Sequence, residues 1–143
     1  MKRLIILTAA LLTTGAVAYS AVEQEEKPNP KQLLGTWRMV SATYNGQAAN
    51  FPPNQTMVKH VTPEQFTWVV YDQRGRVGVV LGGPIEIKDD NYVETAEYGA
   101  NADHLLRQTH RYKWKIEGNR WIHQGTTAAG TIIDEVWERV AKK

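Results

Sequence analysis

Apolar and polar residues alternate singly along most of this chain, most sharply in His110-Arg111-Tyr112-Lys113-Trp114-Lys115-Ile116. His110, Tyr112, Trp114 and Ile116 share one face, and Arg111, Lys113 and Lys115 share the other. A period of two over that length predicts a half-buried strand, because a helix would space its apolar positions three and four apart. The same reading predicts strands over 36–44, 57–61, 66–71, 77–81, 85–87, 92–98, 109–117, 120–124 and 131–140. Turn residues separate them: Asn45-Gly46, Asp72 to Gly75, Asp89-Asp90-Asn91 and Gly118-Asn119. Gly82-Gly83-Pro84 predicts a bulge or corner. Pro30 opens a short helical turn through Leu34, which Gly35 stops. A second helical turn is expected at 103–106 within the loop 99–107.

About eight to ten strands joined by short turns make a meander, which hides its edges by closing into a barrel or splitting into a sandwich. Near-neighbour turns throughout favour closure. The expected fold is all-β: an antiparallel up-and-down β-barrel of about eight to ten strands with a short N-terminal capping helix.

Residues 1–18 read as a signal peptide, with Lys2 and Arg3 at the start, an apolar run from Leu4 to Leu12, and Ala16-Val17-Ala18 as the cleavage pattern. That run is too short to span a bilayer, so no stable membrane insertion is expected once the leader is cleaved; a retained anchor is the alternative. Residues 19–30 are polar and proline-containing and read as a flexible spacer, which leaves 31–143 as one barrel domain. The expected location is the periplasm or the exterior. Removing Lys2 and Arg3 takes the seventeen basic residues to fifteen, matching the fifteen acidic ones. A neutral domain is a poor nucleic-acid partner, and that class is excluded. There is no cysteine, so no disulfide contributes, and five tryptophans and six tyrosines must supply much of the buried area.

Leu33-Leu34-Gly35-Thr36-Trp37-Arg38-Met39-Val40-Ser41 resembles the opening of the lipocalins and of the bacterial lipocalin-like domains of the calycin superfamily. Ile133-Asp134-Glu135-Val136-Trp137-Glu138-Arg139-Val140 looks like their last strand. The resemblance spans 31–140. It implies that Gly35 and Trp37 begin the first strand after a capping turn, and that Arg139 packs over Trp37 where the barrel closes. Physics favours that pairing, since first and last strands are neighbours in a closed meander. A partly desolvated guanidinium on an indole face contributes about 1 to 2 kcal/mol. The absence of a disulfide and of a long helix after the barrel brings the chain nearer to the small bacterial domains than to the secreted animal lipocalins.

A barrel of about eight strands holds one small ligand or is filled by its own side chains. Alternation places His110, Tyr112, Trp114, Trp121, His123, Glu135 and Trp68 inside, with Phe66, and these are the candidate ligand-binding residues. Trp137 and Arg139 share the face of Glu135. His110, His123 and Glu135 lie on three consecutive strands and suit a hydrogen-bonded cluster, a metal site or an acid–base pair. His60 and His104 are further candidates, the latter on an exposed loop. Glu94 and Glu97 fall on opposite faces of one strand, so at most one points inward. The lysines of the outer faces read as solvated surface. No nucleophile elbow, phosphate loop or metal-binding motif occurs, and neither a metal nor another cofactor is expected.

The function expected is binding of a small apolar or amphipathic molecule. The alternatives are a small barrel enzyme, an isomerase or hydrolase using the His/Glu cluster, and a protein-binding or inhibitor module acting through the long loops 46–56 and 99–108. The chain carries no signal of its oligomeric state.

Overall fold

The strands fall where alternation and turn chemistry put them, with a few instructive differences. The computed structural model describes residues 28–141; the leader over 1–18 and residues 19–27 of the spacer lie outside the described residues. Ten strands follow a 3₁₀ turn at Pro30–Leu33: β1 (Gly35–Tyr44), β2 (Gln47–Ala48), β3 (Gln55–Val61), β4 (Gln65–Asp72), β5 (Val77–Lys88), β6 (Asn91–Thr95), β7 (Tyr98–Ala100), β8 (Thr109–Glu117), β9 (Arg120–Thr126) and β10 (Ile132–Arg139). A second 3₁₀ turn spans Asp103–Leu105. Eight strands form a closed antiparallel ring in the order β1, β3, β4, β5, β6, β8, β9, β10, with β10 returning to β1. β2 and β7 are short additions, paired to β1 and β5.

At the closing seam Trp37 lies opposite Arg139, Met39 opposite Trp137, Ala42 opposite Glu135 and Tyr44 opposite Ile133. Trp37 and Tyr44 are seven residues apart, so unbroken alternation would put them on opposite faces. A bulge between Met39 and Ser41 reverses the phase. Trp37, Met39, Ala42 and Tyr44 therefore all face inward.

One end of the ring is shut by the first 3₁₀ turn. The Asn29 side chain accepts from the Lys31 amide at 3.1 Å, and Pro30 starts the turn with its φ already set. Leu33 is fully buried beneath it. The Trp37 indole Nε1 donates to the Leu33 carbonyl at 2.8 Å. The Arg139 guanidinium lies 4.0 Å from the Trp37 ring centroid. Its Nη1 donates to the Leu34 carbonyl at 2.9 Å, and its Nη2 donates to the Gln32 carbonyl. Gly35 has a φ of 129° there, and a Cβ on it would press against Arg139 Nη1 at 2.8 Å. Only glycine fits that junction.

Two differences from the sequence expectation meet at one corner. β5 runs unbroken through Gly82-Gly83-Pro84, where a bulge or corner was expected to interrupt it, and changes neighbour there from β7 to β6. The span 92–98, expected as one strand, is two. The chain bends at Ala96-Glu97 because pairing passes from β8, where Thr95 faces Thr109, to β5, where Tyr98 faces Gly82. The displaced backbone groups are satisfied locally: Glu97 N donates to Gly82 O at 2.9 Å and Ala96 N to Gln108 O at 3.0 Å. A Cβ at Gly83 would overlap the Thr95 carbonyl, which explains the glycine at the bend.

Above the cap the barrel is filled. Trp37 and Trp121 meet edge to face at 5.5 Å, Tyr92 and Trp121 at 5.1 Å, and Trp121 and Trp137 lie 6.2 Å apart. No helix among the described residues is long and apolar enough to cross a membrane.

The cap and seam carry a stability prediction. Trp37→Ala should lower unfolding free energy by about 3 to 5 kcal/mol through the cavity it leaves, and Arg139→Ala by about 1 to 3 kcal/mol through its ring and carbonyl contacts. Lys113→Ala removes only an exposed ion pair to Asp90 and should stay within about 0.5 kcal/mol of the parent. Urea unfolding of the three variants measures this, and equal losses at Trp37 and Lys113 would refute the inward and outward assignments.

Candidate functional site

Beyond the filled layer the interior opens. A cavity of about 430 Å³ occupies the other half of the barrel. Its wall is built from inward residues: Tyr44 of β1, Trp68 of β4, Leu81 of β5, Tyr112 of β8, and Ile133 and Trp137 of β10. Its mouth is bordered by His104 and Leu105 of the second 3₁₀ turn and by Thr127 and Ala129 of the β9–β10 loop. His104 and Ala129 are exposed. Volume and wall chemistry are those of a small-molecule site.

The floor of this cavity is charged. On β3, Met57, Lys59 and Val61 share the inward phase, so Lys59 is carried inside and is only 2% exposed. Its Nζ donates to Glu94 Oε2 at 2.8 Å. It also lies 5.0 Å from the ring centroid of Trp137, 5.4 Å from Trp121, and 5.6 Å from both Phe66 and Tyr92. One carboxylate and four aromatic faces thus replace the water a buried ammonium loses.

A second polar pair stands beside the first. His123 Nε2 and Glu135 Oε2 are 2.5 Å apart, and Trp137 Nε1 donates to the same oxygen at 3.0 Å. Burial pushes the Glu135 carboxyl up, but the His123 charge and hydrogen bond, with Lys59 and the Trp137 indole, outweigh it and hold it below its ordinary range. Burial, and then the nearby Glu135, push the Tyr44 hydroxyl up to about 12. Burial raises Tyr92 and Tyr112 further, helped by Glu94. Both therefore stay neutral. Among the described residues, Tyr92 Oη, His110 Nδ1, Trp114 Nε1, Trp121 Nε1 and His123 Nδ1 are buried without a hydrogen-bond partner.

The structure divides the residues singled out in the sequence. His110, Tyr112, Glu135 and Trp68 line the cavity. Trp114, Trp121 and His123 do not: they are buried in the packed interior, where Trp121 meets Trp37 and His123 stacks on Tyr112 at 4.3 Å. The structure thus places these three apart from the cavity wall. Alternation fixes the face of a residue but not its height along the barrel, and towards the cap the rings leave no space. The three-strand cluster is brought together only in part, since His123 holds Glu135 while His110 lies beside Tyr112 and opposite Glu94. No group of three His, Asp or Glu side chains among the described residues is arranged to hold a metal. Of the pair Glu94, on β6, and Glu97, just after it, the first is inside and the second is exposed. His60 faces outward and meets Thr36 Oγ1 at 3.0 Å. Gly35, Trp37 and Arg139 meet at the cap, remote from the mouth.

Lys59 was missed. The strand phase set by Met57 and Val61 already put it inside, but a lysine is ordinarily read as surface because burying it alone is costly.

No protein-family profile matches the sequence, and no curated protein matches it. Among solved structures, a redesigned β-barrel superposes with a TM-score of 0.50 at 18% identity, covering 78% of this chain and 94% of that one. The redesigned barrel mFAP1, bound to DFHBI, gives 0.47 at 18% identity over 76% and 96%. A mutant of the fluorescent protein UnaG gives 0.40 at 9% identity over 78% and 99%. The first of these likenesses supports the barrel fold.

The charged floor is testable through stability. Lys59→Met strands the Glu94 carboxylate and should cost about 3 to 5 kcal/mol, whereas adding Glu94→Leu should recover most of that loss; urea unfolding of single and double variants decides it. Folding lowers the Glu135 pKa, so its stabilisation is complete above the ordinary 4.5 and is lost as pH falls through the folded value. Folding raises Tyr44, so its contribution is intact below 10.0 and is lost between there and about 12. Glu135→Gln should flatten the acid limb of the stability profile and Tyr44→Phe the alkaline limb. Unchanged limbs would contradict the assignment.

Proposed function

We propose that this chain is an exported lipocalin-like barrel that binds one small apolar or amphipathic molecule, with the leader over 1–18 directing it to the periplasm or beyond. The observation that carries this reading is the cavity of about 430 Å³ whose wall is mostly aromatic and aliphatic. The apolar body of the ligand lies against Trp68, Leu81, Tyr112 and Ile133, and its polar end meets the His110 and Glu135 floor. Burial supplies about 25 cal/mol per Å² of apolar ligand surface before ordering losses. Because the cavity is preformed, binding needs no reorganisation of the barrel.

A second reading, an acid–base enzyme, is favoured by the 2.5 Å contact between His123 and Glu135. Its weakness is access. The His123 side chain is fully buried beneath Tyr112, and Glu135 Oε2 is already shared by His123 and Trp137.

Titration of the purified chain with an apolar fluorophore should give saturable binding at one molecule per barrel. Ala129→Trp, a bulky side chain at the exposed mouth, should weaken it at least about tenfold while leaving the far-ultraviolet spectrum unchanged. Absence of saturation across fatty acids, retinoids, porphyrins and aromatic alcohols would refute the reading. Mass spectrometry of the chain recovered from a secreting host should find Ala18 removed with the leader; an intact leader would refute the export assignment.

A further inference from the structure

The charges on the cavity floor restrict what its occupant can carry. Two carboxylates, Glu94 and Glu135, line the cavity, and Lys59 is the one ammonium or guanidinium among the lining residues. Lys59 is already committed: it pairs with Glu94 at 2.8 Å and is enclosed by four aromatic rings within 5.6 Å. An entering carboxylate would have to take Lys59 from Glu94, leaving a buried carboxylate unpaired, and would face Glu135 as well. An entering cation or hydroxyl meets the opposite situation. Two carboxylates, Glu94 engaged by Lys59 and Glu135 by His123 and the Trp137 indole through one oxygen each, stand in a partly desolvated site, where charge interactions are stronger than in water. A separate observation also points to a polar ligand group at this level. His110 is 8% exposed, faces the cavity, and its Nδ1 has no partner among the described residues.

Building on the ligand-binding reading above, we propose that the cavity selects apolar amines: molecules with a compact apolar body and a protonated amino group, seated between Glu135 and Glu94 within reach of His110. Alcohols of the same body bind more weakly, because they donate without charge. Carboxylates are rejected. The rings of Trp68, Tyr112 and Trp137 on the wall suit a flat body and supply π faces to the ammonium end.

The test uses three probes with one body: naphthylmethylamine, naphthylmethanol and naphthylacetate, each titrated into the intact chain at neutral pH by calorimetry. The amine should bind at least about tenfold more tightly than the acetate, with the alcohol between them. Glu135→Gln should shrink the gap between amine and acetate, while Glu117→Gln, which alters an exposed carboxylate outside the barrel, should leave it intact. Should Glu135→Gln fail to fold, the ranking on the unaltered chain decides alone. Acetate binding as tightly as the amine would overturn the inference and leave ligand binding standing, as would a gap that Glu135→Gln does not change. Failure of all three probes would overturn both.

Discussion

One contact organises this barrel: the guanidinium of Arg139 lies on the indole of Trp37 and reaches past it to the carbonyls of the capping turn. It joins the last strand to the first, and both to the 3₁₀ turn that shuts one end. A sheet of this size must hide its edges, and closure removes them. Once the seam is fixed, the inward phase of β1 and β10 is fixed, and with it which side chains compete for the interior. The cap end takes the largest rings. The volume they leave over lies at the other end, which is why the barrel has one filled half and one open half.

The open half is an apolar chamber with a polar floor, and the floor is unusual in being charged. Lys59, Glu94, Glu135 and His123 are held by each other and by the rings around them. Such groups do not make a core more stable than apolar residues of the same volume would. They give the hydrophobic slot a charged floor that includes two carboxylates. The cap and the site are thus two consequences of the same closure.

Much of this was legible in the residues. Alternation in 109–117 and turn pairs such as Asn45-Gly46 located the strands, and the Gly35, Trp37 and Arg139 pattern pointed to the seam. Four things were not legible, each for a physical reason. The bulge between Met39 and Ser41 leaves no turn signature, yet it reverses the phase and brings Tyr44 inside. The corner at Ala96-Glu97 depends on a change of pairing partner, which local sequence does not encode. Period-two patterning says which face a residue takes but not how deep it sits, so Trp114, Trp121 and His123 could not be told from Tyr112 and His110. Lys59 had the inward phase and was hidden by its charge.

In the proposed function a ligand enters the half of the barrel opposite the cap and stays above the packed rings. The most direct measurement is a ¹H–¹⁵N correlation spectrum of the tryptophan indoles during titration with naphthylmethanol. The Trp68 and Trp137 signals should move as the site fills, because both line the cavity, while those of Trp37 and Trp121 stay in place. Movement of Trp37 or Trp121 with Trp68 unmoved would contradict it.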